Sequence, residues 1–272
     1  MENKNILQRR SDYEQKPHPY EYAPMVDITQ ETIEGVSCYW FTPEDPSQDR
    51  VIIFLHGGGF AMGSVRTHGK MVSHFATHLK AKILFVEYAL APEHPFPAGR
   101  NDVIAGYREL ITRYPIHRIN LIGDSAGASL IVSAIGEIQK TPLRLPDAVV
   151  LISPWIDFAC DYPSIEGNAS LDTSIDRDAL QGFARAYTGS TPLALSNPKN
   201  APRTQFPPVL IMVGTNEILL DDSRHFYTEI AAIQARSRLS IYEDQPHVWP
   251  KKDIHKEAAR RALAEIAEFF GA

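Results

Sequence analysis

The sequence has 272 residues, a formal net charge of −6 and 44% hydrophobic residues. This length fits one large α/β domain better than two independent domains. The negative charge and the lack of a basic cluster along the sequence argue against nucleic acid or an anionic membrane surface as a partner. Two cysteines make no disulfide framework, and the polar first 22 residues lack the apolar segment of a signal peptide or membrane span. We therefore expect a cytoplasmic protein with no transmembrane span.

Short apolar runs alternate with helix-like stretches along the chain. The runs are 36–41, 50–56, 81–88, 118–123, 147–153, 208–214 and 238–244. The helix-like stretches between and after them are 68–79, 98–113, 125–140, 222–236 and 252–270. Several runs are apolar without alternation, as is typical of strands covered on both faces. This order predicts an α/β fold with a mostly parallel sheet and helices on both faces.

One stretch, residues 158–207, interrupts the alternation. It has no convincing strand and a single helical segment near 176–187. Such a length is unusual for a plain connection between two strands. We expect it to form, with about residues 1–30, a small helical cap over one end of the sheet, within a single domain spanning 1–272.

Three consecutive glycines, Gly57 to Gly59, follow His56 at the end of the second apolar run. Glycine costs backbone entropy on folding and packs no side chain. A tight turn needs only one or two glycines, so three in a row predict bare backbone that must lie open to a bound group. We expect His56 to hold the shape of this loop rather than to take part in chemistry.

The motif GDSAG, residues 123–127, lies between an apolar run and a helix-like stretch. Glycines on both sides of Ser125 allow the sharp, strained turn that exposes a serine hydroxyl at the carboxyl edge of a sheet. The following helix directs its N-terminal N–H groups toward the same point. Ser125 could instead merely cap that helix. Its position after a strand of an α/β pattern favours a nucleophile.

A serine nucleophile needs a base oriented by a carboxylate, and in folds of this class the acid and then the histidine follow the serine. Glu217 lies just past the run 208–214. Asp221 and Asp222 lie where the next helix begins, where helix capping is the alternative. We favour Glu217 as the acid and keep Asp221 as the second candidate.

His247 is the predicted base because it lies in the loop after the run 238–244, between Pro246 and Pro250. Six other histidines lie in polar or helical contexts, where we expect them to be solvated: His18, His68, His74, His78, His117 and His255. Acyl transfer through serine also creates an oxyanion that needs fixed donors. Backbone N–H groups of the glycine run and of Ala126 can supply them.

These motifs resemble those of the hormone-sensitive-lipase-like esterases of the α/β-hydrolase fold. The resemblance runs from about residue 33 to the C-terminus. The matching stretches are HGGGF (56–60), YALAPEHPFPA (88–98), GDSAG (123–127), SPWID (153–157), GTNEILLDD (214–222) and PHVW (246–249). HGGG together with GDSAG is a highly specific pair.

The resemblance implies a sheet of about eight strands with a helical cap. It also implies a carboxylesterase that acts on short-chain, acetyl-type esters, with a small-molecule ester as partner and no metal or organic cofactor. Carried over residue by residue, Ser125 is the nucleophile, His247 the base, and Gly58, Gly59 and Ala126 the oxyanion donors. Members of the family often pair through the edge strand, here 238–244, so a homodimer is possible.

The chain departs from the family pattern D-x-L-x-D-E in the acid loop, because Glu217 stands at the position of the usual aspartate. The N-terminal part is also short, which predicts a smaller cap and a more open pocket. The candidates for the pocket lining are Trp155, Phe158, Phe183, Tyr187 and Trp249, with ordinary packing as the alternative for each.

Other functions use the same fold. A lactonase, an amidase or an acyltransferase could carry the same three residues, since fold does not fix function. A non-catalytic member that binds a small ligand would have lost the catalytic histidine. His247 and the full glycine loop favour the enzyme.

Overall fold

The computed structural model describes residues 3–271, which build one eight-stranded sheet in the order β1-β2-β4-β3-β5-β6-β7-β8. Only β2 runs against the others. The strands are β1 (Val26–Ile33), β2 (Val36–Pro43), β3 (Arg50–Leu55), β4 (Lys82–Val86), β5 (Arg118–Asp124), β6 (Ala148–Ile152), β7 (Val209–Gly214) and β8 (Arg238–Tyr242). The predicted α/β fold with a mostly parallel sheet of about eight strands is confirmed.

Seven of these strands match the seven apolar runs, but β1 has no counterpart among them. Its sequence, VDITQETI, is largely polar, and most of its residues are exposed. β1 lies at the edge of the sheet and, within the part of the chain that the structure describes, pairs only with β2. An edge strand with little burial carries no apolar pattern to reveal it.

Helices cover both faces of the sheet. They are α1 (Asn3–Glu14), α2 (Val65–Leu79), α3 (Ala98–Arg113), α4 (Ala126–Ile138), α5 (Pro163–Gly167), α6 (Arg177–Thr188), α7 (Leu193–Ser196), α8 (Leu220–Ala231), α9 (Trp249–Lys252) and α10 (Glu257–Phe270). The polar α1 was not predicted from the sequence. The predicted helix 252–270 is divided, since α9 ends at Lys252 and α10 begins five residues later.

Two apolar cores lie on opposite faces of the sheet, and side chains alternate between them along each strand. In β3, Ile52 and Phe54 belong to the core under α2 and α10, whereas Ile53 and Leu55 belong to the core under α3 and α4. All six residues of β3 are buried. Burial on both faces explains why the central runs are apolar without alternation.

Residues 158–207 contain α5, α6, α7 and a short 3-10 turn, Pro198–Asn200, and the structure, which describes all of this stretch, places no strand in it. The helix α6 begins at the predicted position, with the side chain of Asp176 accepting a hydrogen bond from the N–H of Ala179. No helix between residues 3 and 271 combines the length and the apolar character that a membrane span requires.

Candidate active site

Ser125 occupies a strained turn between β5 and α4. Its φ of 51° and ψ of −118° lie in a region that side-chain-bearing residues rarely adopt. Gly127 permits this turn because a Cβ there would collide with the carbonyl oxygen of Leu55, and a Cβ at Gly123 would lie 2.7 Å from the backbone of Gly127. The N–H of Ser125 donates to the carbonyl of Ile152 at 2.9 Å. The backbone thus fixes the hydroxyl at the carboxyl edge of the sheet.

The three residues predicted for the triad lie together. Ser125 Oγ is 3.0 Å from His247 Nε2, and His247 Nδ1 is 2.9 Å from Glu217 Oε2. All three side chains are buried. A histidine between a serine hydroxyl and a carboxylate can accept the hydroxyl proton while the carboxylate stabilises the imidazolium that forms.

Glu217 has further partners for its second oxygen. Oε1 accepts hydrogen bonds from the N–H of Gly214 at 2.6 Å and from the Ser153 hydroxyl at 2.8 Å. Asn168 donates its side-chain amide to the backbone carbonyl of Glu217 at 2.7 Å. These bonds hold the carboxylate in one orientation, with Oε2 free to receive the histidine. Sequence reasoning missed Ser153, although it begins the quoted motif SPWID.

Asp221 and Asp222 point elsewhere. Asp221 accepts from the N–H of Ser164 at 2.9 Å and pairs with Arg224 at 3.1 Å. Asp222 accepts from the N–H groups of Ile156 and Asp157, and its burial raises its pKa to about 7. Helix capping was the alternative interpretation for both residues, but neither side chain caps α8. Each instead binds the backbone that follows β6.

The glycine run is shaped by three different neighbours. A Cβ at Gly57 would collide with the Asp124 carboxylate, and one at Gly58 with the carbonyl of Met62. At Gly59, where φ is +62°, a Cβ would lie 2.5 Å from the ring of Phe183. Each glycine is therefore required by close approach, and φ is also positive at Gly58 and Gly59.

The N–H groups of Gly58 and Gly59 have no hydrogen-bond acceptor within residues 3–271. Ala126 is the first residue of α4, where a backbone N–H has no acceptor within its own helix. These three groups belong to the segments that meet at Ser125. They can therefore serve as donors to a developing negative charge.

The prediction that His68 is solvated is wrong. His68 is 1% exposed, and its Nε2 lies 3.6 Å from Asp124 Oδ2, directly before the serine. It was missed because α2 packs the face that bears His68 onto the sheet. Burial lowers the pKa of His68, and it lowers that of the neighbouring His56 to about 3.

His56 binds its own loop. Its Nδ1 lies 2.9 Å from the carbonyl oxygen of Gly57, and Tyr88 donates its hydroxyl to the His56 carbonyl at 2.6 Å. The His56 ring also stacks on that of Tyr88, with centroids 4.3 Å apart. These contacts explain how a histidine can shape the glycine loop without reaching the reacting centre.

A cavity of about 620 Å³ opens onto Ser125 and His247. Part of its lining comes from α6 and the loop before it, with the apolar Ile175, Leu180 and Phe183 beside the polar Thr173 and Ser174. Other lining residues come from α1, the loop after it and α9. Of the five aromatic candidates, only Phe183 lines this cavity; the other four are buried elsewhere: Trp155, Phe158, Tyr187 and Trp249.

The chain matches a known family and several known proteins. Residues 52–251 match the alpha/beta hydrolase fold family. An acetyl-hydrolase of Streptomyces hygroscopicus is 36% identical over 248 residues, which cover 88% of this chain and 80% of that protein. An esterase of Acinetobacter venetianus is 29% identical over 228 residues, covering 82% and 75%.

Solved structures give the same result. The crystal structure of an esterase from the bacterial hormone-sensitive lipase family superposes with a TM-score of 0.90 and 34% identity, covering 99% of this chain and 92% of that one. The crystal structure of EstE5 soaked with p-nitrophenyl butyrate gives a TM-score of 0.90 and 31% identity, covering 97% of this chain and 90% of that one.

The chain therefore belongs to the α/β-hydrolase fold family, among the esterases of the hormone-sensitive-lipase type, which confirms the resemblance seen in its motifs. It is a carboxylic ester hydrolase.

Proposed function

We propose that the protein is a serine carboxylesterase that hydrolyses short-chain, acetyl-type esters of small molecules through a Ser125–His247–Glu217 triad. The observation that carries this proposal is the continuous chain of contacts of 3.0 Å and 2.9 Å from the hydroxyl through the imidazole to the carboxylate. The buried position of all three groups favours this chemistry, since water does not compete for their hydrogen bonds.

In the proposed reaction, His247 takes the proton of Ser125 as Oγ attacks the ester carbonyl. The N–H groups of Gly58, Gly59 and Ala126 stabilise the oxyanion of the tetrahedral intermediate. The alcohol leaves with the proton carried by His247, and the acyl group remains on Ser125. Water then attacks the acyl-enzyme, with His247 acting as base again. Apart from the ester and water, every group in the proposed reaction belongs to the chain, and no step needs a metal or organic cofactor.

A small cap formed by about residues 1–30 and 158–207 would set the acyl-chain length. Leu180 and Phe183 of α6 border the cavity, and Phe183 lies against Gly59, next to the proposed oxyanion site. The relative named acetyl-hydrolase and the structure soaked with p-nitrophenyl butyrate support a short acyl group.

The test is hydrolysis of p-nitrophenyl esters from acetyl to dodecanoyl, with Ser125→Ala measured beside the wild type. The expected result is turnover that falls with chain length and is lost in the variant. Turnover rising with chain length would contradict the short-chain preference. No turnover of any ester, with turnover of lactones or amides instead, would contradict the esterase mechanism.

We also propose a homodimer through β8 and a cytoplasmic location. Among residues 3–271, β8 is an edge strand that pairs only with β7, and Ile241 on it is 42% exposed. Cys38 and Cys160 are buried free thiols, as expected in a reducing compartment. Light scattering of the wild type and of Ile241→Lys tests the dimer. A wild-type monomer would contradict it.

A further inference from the structure

Three lysines line the same cavity as the apolar residues of α6. Lys16 lies just after α1, and Lys251 and Lys252 end α9, four and five residues after His247. All three line the cavity that contains Ser125. We call Lys16, Lys251 and Lys252 the lysine cluster.

Tyr13 of α1 brings two of these cations together. The ammonium nitrogen of Lys251 lies 4.3 Å from the centre of the Tyr13 ring, and that of Lys16 lies 5.7 Å from the same centre. Lys251 also donates a hydrogen bond to the Tyr13 hydroxyl. The two ammonium groups thus share one aromatic ring at the edge of the cavity.

None of the three lysines forms an ion pair with a carboxylate of residues 3–271. Lysines elsewhere do, as Lys70 with Glu21, Lys140 with Glu137 and Lys199 with Asp157. Burial lowers the pKa of Lys251 to about 8; the charge of Asp124 and, more weakly, that of Glu14 oppose this shift, while the charges of Lys252 and Lys16 add to it. Like charges held close without a counterion are unfavourable unless an anion joins them.

Two of the three carboxylates that line the same cavity, Asp12 and Asp176, already have donors within the protein. Asp12 accepts from the Gln8 amide at 2.8 Å, and Asp176 accepts from the N–H of Ala179 at 2.7 Å. Asp124 lies beneath the serine beside His68. None of them neutralises the lysine cluster by direct contact.

We propose that the lysine cluster binds an anionic group of the substrate, so that the enzyme prefers esters carrying a negative charge apart from the reacting carbonyl. This inference rests on the proposed esterase function, because it assigns the substrate class of that same cavity. The apolar residues of α6 then hold the uncharged part of the ester, and the lysine cluster holds the charged end.

The test compares esters that differ only in charge. On the alcohol side, 4-acetoxybenzoate is paired with 4-acetoxybenzamide; on the acyl side, mono-p-nitrophenyl adipate is paired with its methyl ester. The readout is the ratio of kcat/KM for the anionic ester to that for its neutral partner. The same ratio is measured in each variant, so intrinsic differences in ester reactivity cancel.

The decisive variant is Lys16→Gln/Lys252→Gln, because both side chains are exposed and their replacement leaves the core intact. Lys251→Gln is the second variant. Lys82→Gln is the control. Lys82 begins β4 and therefore lies at the amino ends of the parallel strands, away from the carboxyl ends where Ser125 lies. We expect the ratio for at least one pair of esters to fall about tenfold in the cluster variants and to stay unchanged in the control. In the wild type, the same ratio should fall as salt is added, because salt screens the attraction between the lysines and the anion.

Equal ratios in wild type and cluster variants for both pairs, with the neutral esters hydrolysed, would overturn the proposal and leave the esterase function intact. Hydrolysis of none of the four esters would contradict the proposed function instead. In that case, calorimetric titration of Ser125→Ala with 4-acetoxybenzoate and 4-acetoxybenzamide tests whether the lysine cluster binds an anion. Tighter binding of the anion, lost in the Lys16→Gln/Lys252→Gln background, supports the anion site, and equal binding refutes it.

Discussion

The hydroxyl of Ser153 donates a hydrogen bond of 2.8 Å to Glu217. The same hydroxyl accepts the N–H of Val248, the residue after His247, at 3.0 Å. Ser153 is fully buried, and its φ of 50° lies in the left-handed region. One side chain on β6's carboxyl end therefore ties the loop of the proposed acid to the loop of the proposed base.

Replacing Ser153 with alanine should lower kcat about tenfold with little change in KM, because one buried hydrogen bond to a charged carboxylate is lost. Steady-state kinetics on p-nitrophenyl acetate measures both constants. Ser223→Ala is the matched control, since that buried hydroxyl has no partner within the described residues. An unchanged kcat in Ser153→Ala would remove its positioning role.

Glu217→Gln should reduce kcat by about 100-fold or more, because a neutral amide cannot stabilise the imidazolium. Glu217→Asp should keep part of the activity, since the shorter carboxylate retains its charge. Asp221→Asn should stay near wild type, because Asp221 contacts Ser164 and Arg224 rather than His247. A larger loss in Asp221→Asn than in Glu217→Gln would reverse the assignment of the acid.

Gly59→Ala should abolish turnover and lower the free energy of unfolding by about 3 kcal/mol, because the new Cβ meets the Phe183 ring. Gly35→Ala separates this clash from backbone strain. Gly35 also has a positive φ, +86°, but a Cβ there meets nothing within 4 Å. Gly35→Ala should lower the free energy of unfolding by about 1 kcal/mol and leave kcat unchanged. Equal effects at both sites would contradict a steric requirement at Gly59.

Glu87 should make the protein less stable as the pH rises. Burial raises its pKa to about 7, with a smaller contribution from Glu14, while its bond from the N–H of Val65 opposes the shift. The folded state thus favours the protonated acid, so this stabilisation is full below the unfolded pKa and is lost as the pH rises through about 7. Chemical denaturation between pH 4.5 and 8 should show this decline in the wild type and a weaker decline in Glu87→Gln. Parallel curves would contradict it.

Local patterns predicted most of the fold and the proposed chemistry. The apolar runs identified β3 to β7 because burial on both faces of the sheet requires apolar residues throughout these strands. β2 and β8 were identified from apolar runs as well, although both strands are only partly buried. The flanking glycines of Ser125 revealed the nucleophile turn, since few residues permit it. β1 was not predicted because it is largely polar and pairs with a neighbouring strand on one side only.

Features that depend on long-range packing could not be read from the sequence. His68 looks like one of several helical histidines until α2 buries it beside Asp124. Ser153 lies 64 positions from Glu217 and contacts it only because β6 and β7 are neighbours. The lysine cluster brings Lys16 next to α9, more than two hundred residues further along the chain. No local pattern of charge in the sequence could therefore predict it.

The most direct test of the central claim is mass spectrometry of the protein after treatment with a fluorophosphonate. The account predicts one adduct, on the peptide that contains Ser125, and its loss in both Ser125→Ala and His247→Ala, because the hydroxyl reacts only when the imidazole takes its proton. No adduct in the wild type, or an adduct on another residue, would contradict Ser125 as the activated nucleophile.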